Sequence, residues 1–157
     1  MNIFVLHDSP IASAEFQCDK HIVKMPLETA QMLCTAVHVQ YPEVEDSIPY
    51  RAAYRNHPCT VWARESAANF YWLLLHGRAL CAEYSMRYGR VHKCQQVIEW
   101  TSDYISAMPS GSMTGHPLCM PEQYKVRDAV QSYRNYYLGD KARFAKWERS
   151  STPYWWA

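Results

Sequence analysis

The sequence has almost no charge imbalance: 16 Lys and Arg against 15 Asp and Glu leave a net +1. That excludes a basic field spread over the whole surface and leaves charge to act through local clusters. No apolar run approaches the roughly 20 residues that a membrane-spanning helix needs. The N-terminus lacks a basic stretch followed by an apolar one, so no secretory signal is read and the expected location is the cytoplasm. There is no internal repeat and no low-complexity segment. Paired cysteines are also missing. Cys18, Cys34, Cys59, Cys81, Cys94 and Cys119 are scattered singly, which fits free thiols in a reducing compartment. The fragments Cys18-x-x-His21, Cys34-x-x-x-His38 and His57-x-Cys59 lack the second pair of a structural zinc site, and Cys18 and Cys34 would lie over roughly 20 Å apart on one helix. No metal and no cofactor is expected.

What remains is a chain of 157 residues, 14% aromatic, with 12 Tyr and 6 Trp. That length suits one domain burying about two-thirds of its unfolded surface. The expected fold is mainly α: a compact single-domain helical bundle over 1–157 with a short N-terminal extended segment. Asn2 to Leu6 reads as a short buried strand or arm. Ser9 and Pro10 open a helix or helix pair running to about Val39, with Pro26 expected to kink it. Tyr41 to Pro58 reads as loop. A second helix, capped by Thr60, runs to Tyr88 and stops at Gly89. A third spans Val91 to Ala107, and Met108 to Pro121 is loop. A fourth spans Glu122 to Leu138, broken at Gly139-Asp140 before a short basic helix to Arg149. The aromatic tail Thr152 to Trp156 is expected to pack back on the body.

The densest chemistry lies on the first long helix. His21, Lys24, Glu28, Gln31, Thr35 and His38 follow one another at offsets of 3 and 4, the repeat of one helical face. A titratable imidazole, a cation, a carboxylate and an amide share that face, opposite an apolar stripe. Such a face is also what an ordinary solvated surface looks like. On the second helix Glu65, Asn69, Trp72 and His76 point one way, and Glu65 is a candidate to meet His21 and Glu28 across a helix contact. Asn56 and His57 precede that helix, where free backbone N–H groups suit an anion, with Arg64 one turn in. Late cations, among them Arg87, His92, Lys93, Arg134, Lys141 and Arg143, are interleaved with Tyr and Trp, a mixture suited to phosphates and stacked bases. The candidate catalytic residues are therefore Glu28, His21 and Glu65. The candidate phosphate-binding residues are Lys24, Gln31, Asn56, His57, Arg64, His92, Lys93 and Arg134.

Cys18-Asp19-Lys20-His21, with Glu28 seven residues after the histidine, resembles the first helix of phage pyrimidine-dimer DNA glycosylases of the T4 endonuclease V type. The resemblance extends loosely to Phe70–Gly89 and to the aromatic tail. It implies an all-helical scaffold, and a reaction in which an N-terminal α-amine attacks C1′ of the damaged nucleotide while a carboxylate, matching Glu28, stabilises the developing charge and assists strand cleavage. An α-amine keeps a useful neutral fraction near neutral pH. The chain departs from that family in having Asn2 where a small residue is exposed by removal of Met1, and Leu27 and Gln31 where arginines flank the glutamate. Two functional classes stay open. One is a glycosylase or lyase acting on DNA. The other is a nucleotide-binding phage protein that sequesters or degrades a host signalling nucleotide as an anti-defence device. A purely structural helical interaction module stands behind both. No membrane partner is expected, and a homodimer is compatible with the sequence.

Overall fold

Ser9 and Pro10 start the first helix as the cap-then-proline pattern predicts: Ser9 Oγ accepts the Ala12 N–H at 3.3 Å. The computed structural model describes all 157 residues and contains helices but no strand. The α-helices are α1 (Pro10–Glu15), α2 (Asp19–Gln40), α3 (Pro58–Glu65), α4 (Ala67–Tyr88), α5 (Gln95–Thr101) and α6 (Ala129–Tyr136). Short 3₁₀ turns cover Pro42–Ser47, Ser102–Ala107 and Glu122–Tyr124, and one π turn covers Tyr137–Lys141. α2 and α4, 22 residues each, are about 33 Å long and pack on one another, with α3 and α5 against both and α1 against α4. One continuous cluster of 33 buried apolar residues runs through them. No helix is long and apolar enough to cross a membrane.

Several boundaries differ from the sequence reading, each for a local reason. α2 continues through Pro26. The expected second helix is two helices, because Ser66 is extended (φ −151°, ψ 157°) and its hydroxyl caps α4 at Asn69 N–H. Thr60 is buried inside α3; the cap is His57, whose Nδ1 accepts the Cys59 N–H at 3.1 Å. α6 begins only at Ala129, capped by Asp128. Gly139 and Asp140 do not break the chain's path: they lie inside the π turn, and no regular helix follows Lys141. The aromatic tail does fold back, with Trp156 on Trp147 at 4.8 Å between ring centres and Trp155 on Phe16 at 6.1 Å.

The first six residues form an arm threaded into the bundle, with Asn2 to Leu6 all buried. Buried backbone without a sheet needs other partners, and side chains supply them. Gln17 Nε2 donates to the Ile3 carbonyl at 2.9 Å, Ser13 Oγ accepts the Leu6 N–H at 3.0 Å, and Arg134 Nε donates to the Leu6 carbonyl at 3.0 Å. Asn2 Oδ1 accepts the N–H of both Ile3 (2.7 Å) and Phe4 (3.1 Å), coiling the arm tightly. The coil puts Phe4 at φ 59°, a left-handed conformation that costs a bulky residue on the order of 1–2 kcal/mol. Stacking of its ring on His21 at 4.3 Å offsets part of that cost.

Arg87 ties the start of α2 to the end of α4. Its buried guanidinium pairs with Asp19 (3.2 Å) and Glu83 (2.9 Å) and donates to the carbonyls of Gln17 and Glu15. It is a structural anchor and not part of an anion-binding cluster. Where α2 and α4 meet, Gly77 lies so close to Thr29 that an added Cβ would stand 2.9 Å from Thr29 Cγ2. Gly77→Ala is therefore expected to destabilise the protein by about 1–3 kcal/mol, against the helix-propensity gain of alanine. Chemical denaturation checks this, and a stabilised variant would show that the helices separate freely there.

Candidate active site

α2 presents Lys20, His21, Lys24, Met25 and Glu28 to a cavity of ≈ 350 Å³. The arm supplies Met1, Asn2 and Phe4 to the same cavity, and the end of the chain closes it with Tyr136, Lys141, Arg143 and Phe144. The π turn is what swings Lys141 over this mouth: its Nζ sits 4.5 Å from the Tyr136 ring centre and 5.7 Å from that of Phe4. Lys20 Nζ lies 4.6 Å over Phe144. Four side-chain cations and four aromatic or imidazole rings thus surround a single carboxylate.

That carboxylate, Glu28, is only 9% exposed. Its Oε1 accepts the Asn2 backbone N–H at 2.9 Å and lies 3.3 Å from the Met1 amine. Its Oε2 faces Lys24 Nζ at 3.6 Å, the remaining and more exposed partner. The Met1 side chain is 1% exposed while the residue as a whole is half-buried, so its exposure belongs to the backbone end, which lines the cavity. A primary amine and a carboxylate are held together at the floor of a cationic, ring-lined hollow.

His21 is the third group there. It is buried, stacked on Phe4, and hydrogen-bonded through Nδ1 to the Tyr137 hydroxyl. Burial, reinforced by Lys141, Lys24 and Lys20, drives its pKa down to about 3. It serves as a neutral hydrogen-bonding ring at any physiological pH and does not carry charge to a phosphate.

The other candidates lie elsewhere. Glu65 is exposed and accepts from Thr114 Oγ1 at 3.2 Å. His76 is buried between Gln17 Nε2 (3.3 Å) and the Pro10 carbonyl (3.0 Å). The break at Ser66 puts Glu65 and His76 on different helices, so their shared spacing carries no shared direction. Gln31 lines a separate hollow with Tyr50 and Arg51. Arg64 donates to the Arg55 carbonyl at 2.8 Å, and Asn56 is exposed on the same loop. Arg134 is held by the Leu6 carbonyl and by the rings of Phe16, Tyr154 and Trp155. His92 accepts the Cys94 N–H and donates to the Val23 carbonyl. With Lys93 and Arg90 it lines a shallow surface hollow that shares Lys24 with the cavity.

The arrangement decides the kinship. Residues 1–96 match the model of the pyrimidine dimer DNA glycosylase family. The chain belongs to that family. The matched span contains the arm, α2 with Glu28, and all of α4, so the family region holds the amine–carboxylate pair. Lys141, Arg143 and Phe144 fall outside it. Among curated proteins and among solved structures, nothing matches.

Sequence reasoning missed four contributors. Asn2 clamps the arm and is more than an obstacle to methionine removal. Lys20 sits next to the recognised histidine yet off the periodic stripe. Phe4 and Tyr136 carried no signal beyond aromatic content.

Besides His21, burial lowers His76 to about 4 and His116 to about 4; His116 is wedged against Trp62 and Trp72 with no partner for either ring nitrogen. A histidine whose folded pKa is depressed lets the unfolded state bind more protons between the two values. Stability is therefore full above about pH 6.5 and falls as pH drops toward 4, by up to about 1.4 kcal/mol per pH unit for each of the three. Urea melts between pH 7.5 and 4.5 test this; a flat stability across that range would show that these rings are hydrated.

Proposed function

We propose that this chain is a DNA glycosylase with lyase activity, in which the α-amine at the N-terminus is the nucleophile and Glu28 is the catalytic carboxylate. The observation that carries the proposal is the contact of Glu28 Oε1 with both the Met1 amine and the Asn2 nitrogen, 3.3 and 2.9 Å away. The same oxygen serves whichever of the two residues provides the terminal amine.

In the proposed reaction the neutral amine adds its lone pair to C1′ of the target nucleotide. The glycosidic electron pair leaves with the base, which takes up a proton. The amine loses a proton, and opening of the sugar ring gives an iminium at C1′. Glu28 faces the positive charge that grows there, as electrostatic stabilisation requires. It is also the base within reach of a C2′ proton, whose removal expels the 3′ phosphate with its electron pair. Burial strengthens each of these interactions because little water competes. His21, fixed by Tyr137 and Phe4, offers a hydrogen bond without adding charge.

The surroundings support a DNA partner. Lys20, Lys24, Lys141 and Arg143 ring the cavity, and Arg90 and Lys93 extend the cationic surface past Lys24. These cations take the place of the arginines that Leu27 and Gln31 replace. Phe4, Tyr136 and Phe144 offer faces on which an extruded base stacks. A nucleotide-sequestering protein would use the same rings and cations but leaves the amine–carboxylate pair without a role, so the glycosylase reading is preferred.

Glu28→Gln keeps an oxygen acceptor for the arm. It is expected to reduce incision of ultraviolet-irradiated or abasic duplex by about 10²–10³ while changing stability by no more than about 1 kcal/mol. Unaltered incision would remove Glu28 from the chemistry. Binding to duplex is expected to weaken with salt at a log–log slope between about −3 and −5, for four to six phosphates neutralised. A slope near zero alongside tight mononucleotide binding would favour sequestration instead.

A further inference from the structure

A second set of reactive side chains lies beside the N-terminal arm and away from the cavity. His57, Cys59 and Cys119 bring one ring nitrogen and two sulfurs within 4.8 Å of one another. The two sulfurs are 3.4 Å apart although 60 residues separate them in sequence. We propose that these three residues form a binding site for one zinc-class metal ion, with the fourth coordination position open to water or another exchangeable donor.

The donor set argues for this class of ion. Two thiolates and an imidazole suit zinc and exclude calcium and magnesium, which require oxygen. Zinc–sulfur bonds of about 2.3 Å in a tetrahedron place two sulfurs about 3.8 Å apart, so the observed pair needs to open by only a few tenths of an ångström. The positions are also well held. Cys59 is fully buried in the first turn of α3. Cys119 is fixed from both sides of its backbone: its N–H donates to the Tyr133 hydroxyl at 3.2 Å, and its carbonyl accepts from Asn2 Nδ2 at 2.9 Å. His57 is half-buried and precedes Pro58, which restrains the backbone at the cap.

Uptake of the ion displaces one proton from each thiol, and the His57 nitrogen exchanges the Cys59 N–H for the metal. No electrons are transferred. The bound ion would staple the 109–121 loop to α3 and, through Asn2, brace the arm that carries the terminal amine. The site lies outside the residues that line the cavity, so it stands independently of the glycosylase reading.

The test uses the full chain, stripped of metal by chelation in the presence of a phosphine reductant and then titrated with Co²⁺. One equivalent should bring up the thiolate-to-cobalt charge-transfer band and the visible bands of a tetrahedral ion, both abolished by an equivalent of Zn²⁺. X-ray absorption of the zinc form should show two sulfur neighbours. Cys59→Ser, Cys119→Ser and His57→Asn, the last keeping a capping acceptor, should each weaken uptake at least tenfold, while Cys81→Ala should not. Wild-type protein with six titratable thiols that develops no cobalt–thiolate band overturns the proposal. So does a band that survives Cys119→Ser, or the two thiols recovered only as a disulfide with no metal taken up after reduction.

Discussion

A buried carboxylate that holds the beginning of the chain is the constraint on which the rest of the structure depends. Glu28 sits mid-way along α2 and receives both the Met1 amine and the Asn2 N–H. An uncompensated buried carboxylate is costly, so Glu28 is stable in this place only while the arm is threaded to it. The arm in turn has no sheet to satisfy its backbone and relies on Ser13, Gln17 and Arg134. Each of these residues belongs to a helix positioned by the α2–α4 core and its Arg87 anchor. The hollow at the amine is what remains when the strained turn at Phe4 meets the π turn carrying Lys141.

Much of this was legible in the sequence, and its limits were physical. The stripe from His21 to Glu28 announced a face of mixed chemistry, and three of its residues line one cavity. The same stripe continues to Thr35 and His38, which bind the loop at Ala53 and Tyr50 instead. Periodicity assigns a face but not which neighbour meets each end of a helix about 33 Å long. Helix starts were legible where a proline followed a capping residue, as at Ser9–Pro10. The break at Ser66 was not, because a serine inside a helical pattern reads the same whether it caps or merely tolerates the helix.

The cations show why composition alone misdirects. Arg87, Arg134 and Arg64 looked like phosphate contacts among aromatics, but each spends its guanidinium on carbonyls or carboxylates of the fold. Arginine's fork suits that structural work. The cations that do ring the cavity are mostly lysines on exposed turns, two of them brought in by a π turn that no spacing rule announces. Cysteines followed the same logic: local spacing offered only His57-x-Cys59, and its third partner arrives from a loop 60 residues on.

The family match covers the arm, α2 and α4, while the closing wall of the cavity comes from beyond it. The shared part thus holds the reacting pair, and the remainder of the chain shapes what reaches it. The most direct measurement is borohydride reduction of the protein mixed with abasic duplex DNA, followed by peptide mapping of the covalent adduct. The account predicts one adduct, on the α-nitrogen of the N-terminal peptide. An adduct on Lys20, Lys24 or Lys141, or none at all, would contradict it.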